Sequence, residues 1–143
     1  MFGTIIVGLD GSPREPLVRR RAVQLADTMG GQLVLVRAVQ VPANIPAMVW
    51  ALGDEEFHKF LVEHARTELQ RIADALPDGL VESVVSREGR PSEVLCEVAR
   101  QKRAGLVVIG THGFDRVDRL LGTTAARVTN QAPCSVLVVR EDA

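Results

Sequence analysis

Three glycines and three threonines crowd the stretch "GTHGFDRVDRLLGTT", residues 110–124, and these are residue types that grip an anion through the backbone. Gly110 and Gly113 bracket a tight turn, and glycine enters positive φ without a Cβ penalty. Successive amides in such a turn form an anion-binding concavity. Gly122, Thr123 and Thr124 open a helix-like segment, whose first N–H groups lack intrahelical partners and whose dipole favours negative charge. The threonine hydroxyls add donors, and His112, inside the turn, is a candidate contact to phosphate or sugar. An amide bond to a charged phosphate contributes roughly 1.5–3 kcal/mol. A handful of them, less ordering costs, sustains micromolar binding, about −8 kcal/mol. A di- or triphosphate suits such a cradle. The plainer alternative is that Gly110 ends a strand, Gly122 makes a turn and Thr123 caps a helix.

The elements that must position this stretch follow from the apolar pattern. Short β-branched or apolar runs at 4–10, 32–41, 80–89, 105–110 and 134–140 predict five strands. Between them, helical spacing predicts a helix ending at Met29, a long amphipathic helix over 54–76, one starting at Pro91 and one over 123–130. The alternation is β-α-β-α-β-α-β-α-β, and the strands are continuously apolar rather than alternating. That combination predicts an α/β fold, a doubly wound parallel sheet with helices on both faces. The run "GLVVIG" is the most apolar and belongs in the centre beside the first strand. With strand order 3-2-1-4-5 the chain reverses between strands one and four, and ligands of such sheets bind at the strand carboxyl ends around that point. Two loops meet there, "GLDGSP" after strand one and "GTHGF" after strand four.

The bulk properties narrow the classes. A chain of 143 residues suits one domain, spanning 1–143. It is 46% hydrophobic and 24% charged with a net charge of −1, a balance that disfavours nucleic acid as a partner and leaves small ligands and proteins. Cys96 and Cys134 have no metal-type spacing and read as reduced core residues. The N-terminus carries no basic region before its short apolar run, which predicts no signal peptide, and no apolar run approaches the roughly 20 residues of a membrane span. A cytoplasmic location is expected.

Neither GxxxxGK[ST] nor GxGxxG occurs, so the Walker loop and the dinucleotide fingerprint are both excluded. Instead "IIVGLDGSP", "LVVIGTHG", "LLGTTAARV" and "APCSVLVVR" together, in this order, resemble the universal stress protein family, from end to end apart from a weak stretch over 40–56. The resemblance implies the five-stranded fold with order 3-2-1-4-5, ATP as ligand and a homodimer joined through the edge strand 134–140. It implies that Gly110, Thr111, His112, Gly113, Gly122, Thr123 and Thr124 hold phosphates and ribose. It also implies that Gly8, Leu9 and Asp10 line the adenosine end, and that Ala38 meets adenine through its backbone. The family's ATP-binding pattern is G-x2-G-x9-G-[ST]; here eight residues, not nine, separate Gly113 from Gly122. Asp115 and Asp118 bring negative charge to that segment, which Arg116, Arg119, Arg127 or a bound Mg²⁺ would offset.

Other features admit two readings each. Asp10 either contacts a ribose hydroxyl, the adenine or a metal, or ties the amides of "GSP" as a turn residue. His58 and His64, six apart on one helix, do not converge on a metal. The cluster Arg14, Arg19, Arg20 and Arg21 reads as solvated surface. Asp54, Glu55 and Glu56 suit the start of a long helix. The segment 41–53, with Ile45, Met48, Val49 and Trp50, is a lid over the adenine end, a partner contact or a turn packed on its own domain. No nucleophile elbow, Ser/His/Asp set or carboxylate dyad can be assembled. The expected function is a nucleotide-dependent stress sensor or regulator; the alternatives are an interaction module that binds no nucleotide and a slow ATPase.

Overall fold

The computed structural model describes residues 2–41, 53–111 and 121–141. Within them the expected alternation is realised: β1 (Thr4–Gly8), α1 (Glu15–Met29), β2 (Gln32–Val39), α2 (Asp54–Asp74), β3 (Val81–Glu88), α3 (Pro91–Gln101), β4 (Leu106–Gly110), α4 (Thr123–Gln131) and β5 (Ser135–Val139). The strands form one parallel sheet in the order β3-β2-β1-β4-β5. β1 is paired on both sides, with Ile6 opposite Val34 of β2 and Val107 of β4. Its Ile5, Ile6 and Val7 are fully buried, as a strand covered on both faces requires.

The two faces are separate cores. Ile5, Val7, Leu33, Leu35 and Val108 pack under α1 and α2 with Val18, Ala22, Ala26 and Leu69. Ile6, Val34, Val36, Val107 and Ile109 pack under α3 and α4 with Val94, Leu95, Val98, Ala125 and Val128. Each helix presents one apolar stripe to the sheet; on α2 the stripe is carried by Ala65 and Leu69, both buried. Cys96 lies in the α3/α4 core, whereas Cys134 is only half-buried against it. Burial pushes both thiols above the ordinary range, so neither has thiolate character.

The strands are a little shorter than their apolar runs. The first was expected over 4–10, but pairing ends at Gly8, and Asp10 lies in the loop that follows. Leu9 keeps a strand-like sequence because its side chain is core, 1% exposed, while its N–H donates to the Val36 carbonyl at 2.9 Å. The loop is then stitched to itself. Ser12 N–H donates to Asp10 Oδ1 at 2.9 Å, and Arg14 N–H donates to Ser12 Oγ at 3.3 Å. Gly11, at φ +78°, takes the left-handed conformation this tight turn needs, and its N–H donates to the Glu15 carboxylate.

One guanidinium ties that loop to the rest of the molecule. Arg37, on β2, donates from Nε to the Leu9 carbonyl at 2.7 Å and from Nη2 to Glu15 Oε2 at 2.9 Å. Its Nη1 donates to Glu68 on α2. The Arg37 and Glu15 side chains are 12% and 10% exposed, so this pair is largely withdrawn from water. The bond from Arg37 holds the Glu68 carboxyl below the usual carboxylate range, and His64, 3.0 Å away one turn earlier on α2, acts in the same direction.

Removing one member of a withdrawn pair strands the other. Arg37→Met is expected to destabilise the fold by about 3 kcal/mol in denaturant unfolding, and adding Glu15→Gln is expected to restore part of that loss. Equal losses in the single and double variants would contradict the pairing. A second expectation concerns acid. Because the folded state lowers the Glu68 pKa, its contribution is fully present above the unfolded carboxylate range and is lost as pH falls through the folded value. Glu68→Gln should therefore cost stability at pH 7, and the gap to the parent protein should close below about pH 4. A gap that widens in acid would reverse the sign.

Candidate functional site

At the carboxyl ends of β1 and β4 the sheet opens into a cavity of about 430 Å³. That size is within the range of small-molecule sites. Gly8, Leu9, Asp10, Ala38, Gly110, Thr111, Gly122, Thr123 and Thr124, all expected from the sequence, line this one cavity. His112, Gly113 and the segment Phe114 to Arg119 lie outside the described residues, as do Ile45, Met48, Val49 and Trp50.

The wall at β1 is set by packing. A Cβ on Gly8 would stand 3.1 Å from Ile109 Cγ2 and 3.3 Å from both Leu95 methyls, so the absent side chain lets α3 and β4 close over the strand end. Leu9 shapes the wall through its backbone, with its N–H given to Val36 and its carbonyl taken by Arg37. Asp10 is exposed at the rim, where its Oδ1 accepts the Ser12 N–H. From β2 come Val36, Arg37 and Ala38, from just after it Gln40, and from α3 Pro91 and Leu95, so apolar side chains stand beside two polar ones here.

The wall at β4 and the start of α4 is built from backbone. Gly122 precedes α4 as its N-cap residue, with extended φ −62° and ψ 162°. Its carbonyl accepts the Ala126 N–H at 3.0 Å, the first turn of the helix. Thr123, Thr124 and Ala125, whose amides precede that bond at the helix start, line the cavity, and among the described residues no side-chain cap bond closes the helix N-terminus. The two halves of the glycine stretch are joined directly: Gly122 N–H donates to the Thr111 carbonyl at 2.8 Å. Thr111 is itself buried, with its N–H on the Val139 carbonyl at 3.2 Å, so β4, β5 and the start of α4 share one anchor.

Several lining residues escaped the sequence reading. Ser12, Gln40 and Pro91 are among them, and so is Arg37. Arg14 was grouped with Arg19, Arg20 and Arg21 as solvated surface; Arg20 is exposed, but Arg14 borders the cavity. Two signals were present. An arginine inside the apolar run "VLVRAV" must find a counter-charge if the strand is buried. Ser12 and Glu15 also carry the S-x-x-E spacing of a helix-capping box. The two histidines among the described residues lie apart from the cavity: His58 pairs with Glu88 at 2.9 Å, and His64 pairs with Glu68 and stacks on Phe60. Among the described residues no group of three or more His, Cys, Asp or Glu could hold a metal ion, and no helix is long and apolar enough to cross a membrane.

Known proteins share both the sequence and this architecture. The model of the universal stress protein family matches residues 1–140. A universal stress protein of Thermus aquaticus is 33% identical over 141 residues, covering 98% of this chain and all of that protein. A second, from Synechocystis, is 31% identical and covers 97% of this chain and 86% of its own length. Among solved structures, the universal stress protein UspA from Lactobacillus plantarum superposes with a TM-score of 0.77 at 22% identity, covering 97% of this chain and 98% of that one. A universal stress protein crystallised in complex with cAMP superposes at 0.69 with 26% identity and 99% coverage of both chains. By sequence along almost its whole length and by strand order, the chain belongs to the universal stress protein family.

Proposed function

We propose that this chain binds an adenine nucleotide, with ATP the leading ligand, and acts as a nucleotide-dependent stress regulator. The observation that carries the reading is the polarity of a single cavity. Apolar Val36, Ala38, Pro91 and Leu95 line it from β2 and α3, and Thr111, Gly122 and the first residues of α4 line it from β4 and the start of that helix. A base suits the first set and a phosphate chain the second. Gly8, Leu9 and Asp10 would border the adenosine. Thr111, Thr123 and Thr124 would hold phosphate and ribose, Gly110 and Gly122 would leave room for the phosphate chain to approach the backbone, and His112 and Gly113 would complete the turn. The relative solved with cAMP supports an adenine nucleotide as the ligand class. Mg²⁺ would arrive on the phosphate chain and keep most of its water, since it seldom depends on an all-protein cage.

We further propose that the protein acts as a homodimer through β5. That strand is a sheet edge, and Leu137 on it is 38% exposed. An apolar edge strand offers unpaired backbone groups to a second copy. Val136 and Val138 are half-buried against the α3/α4 core and would close over in such a pair.

The decisive experiment is to denature the purified protein and assay the supernatant for adenine nucleotides, together with a calorimetric titration of MgATP. Bound nucleotide or a saturable titration is expected. Gly122→Val should weaken ATP binding roughly tenfold or more, about 1.4 kcal/mol, with the dimer intact, because valine adopts the extended backbone found at Gly122 but adds bulk at the cavity wall. No nucleotide in the supernatant and no titration signal would defeat the reading.

A further inference from the structure

Of the polar residues that line the cavity, Asp10, Gln40 and Thr123 are exposed. The Arg37 guanidinium is committed to Glu15, Glu68 and the Leu9 carbonyl. Ser12 differs from both kinds. It lines the same cavity and is 4% exposed. Its Oγ accepts the Arg14 N–H at 3.3 Å, just beyond the usual range for such a bond. Among the described residues no acceptor takes the hydroxyl hydrogen.

The main chain on either side holds Ser12 in place. Its N–H donates to Asp10 Oδ1 at 2.9 Å, and its carbonyl accepts the Glu15 N–H at 3.0 Å. The Glu15 carboxylate is tied in turn to the Gly11 N–H and to Arg37. The hydroxyl hydrogen is left to turn, and it rotates to suit whichever acceptor is offered. A buried donor without a partner is costly, so a guest that fills the cavity must bring an acceptor to Ser12 or strand it. We propose that Ser12 is a further ligand-contacting and specificity-determining residue: its hydroxyl donates to an acceptor oxygen of the bound nucleotide. This rests on the nucleotide reading above. Phosphate and ribose both offer such an oxygen, and ligands that carry one without the other tell them apart. Because its backbone is already fixed, Ser12 discriminates between guests with little further ordering.

The test is calorimetry on the full chain with adenosine, ATP and inorganic tripolyphosphate, comparing the parent protein with Ser12→Ala and Ser12→Cys. Thermal melts establish which variants are folded. The cysteine keeps the shape of the side chain with a far weaker donor, so it tests the hydroxyl even where the alanine variant fails to fold. With a phosphate oxygen as acceptor, Ser12→Ala weakens ATP and tripolyphosphate about tenfold and leaves adenosine within about twofold. With a ribose oxygen, ATP and adenosine weaken together, about fivefold, and tripolyphosphate is unchanged. Ser12→Cys is expected to move the same ligands in the same direction. Either pattern supports the assignment. Folded variants that bind all three ligands as the parent does, or that lose all three by the same factor, overturn it and leave the nucleotide reading in place. A parent protein that binds tripolyphosphate in a Ser12-dependent way, but neither adenosine nor ATP, supports the hydroxyl as a donor to ligand and overturns the nucleotide reading. Binding of none of the three by the parent overturns both.

Discussion

β1 is hydrogen-bonded on both sides, and the rest of the molecule is arranged around that fact. A parallel strand cannot be joined to its neighbour by a tight turn, so each connection must cross over through a helix, and the crossover is right-handed. Moving outward from β1 to β2 and β3 places α1 and α2 on one face. Moving back across to β4 and β5 places α3 and α4 on the other. Past the carboxyl ends of β1 and β4 the chain enters helices on opposite faces of the sheet, and the cavity lies at those strand ends. The cavity is the consequence of strand order, and its lining is the set of residues that happen to end those strands. Burying Ile5, Ile6 and Val7 completely, at about 1.5–3 kcal/mol each, makes that order expensive to disturb.

The cavity's shape depends on a smaller device. A loop that leaves a buried strand carries N–H and C=O groups into a region with little water, and each must be paired. Here side chains do it. Glu15 accepts the Gly11 N–H, Arg37 donates to the Leu9 carbonyl, and the two side chains neutralise each other. A withdrawn ion pair is seldom a net source of stability, because desolvation consumes most of the attraction. Its effect here is geometric: it fixes where the chain runs between Leu9 and Glu15, and hence where Asp10 and Arg14 stand. A rim already held in place needs less ordering when a ligand arrives.

The architecture was legible because it rests on local patterns. Continuous apolar runs such as "IIV", "LVLV" and "LVVI" have no stable place except a sheet buried on both faces, and the intervening stripes have the helical period. The position of Gly110, Thr111 and Gly122 beside the loop after β1 was legible because the strand order brings both to one cavity. Where the reading failed, the information was not local. The Arg37 partners lie 22 and 31 residues away in sequence. Arg14 precedes a run of three arginines and borrows their appearance, although its side chain is turned across the sheet toward the end of β5. Asp10 was assigned to a strand because Leu9 beside it is a core residue, although pairing had already stopped at Gly8.

The shortened spacing between Gly113 and Gly122 can be weighed the same way. A spacing pattern counts residues, but what sets the start of α4 against the end of β4 is whether the two ends of the stretch meet. They do meet: the Gly122 N–H lies on the Thr111 carbonyl at 2.8 Å, and Thr111 is pinned in turn to β5. Removing one residue from a loop of this length changes the entropy of closing it by only about 0.1 kcal/mol. That is small beside one backbone hydrogen bond, at about 1 kcal/mol. The count of intervening residues therefore matters only if it prevents the ends from joining. The start of α4 is set against the end of β4 by bonds at the loop's two ends, and the length of the loop between them is not what holds it there.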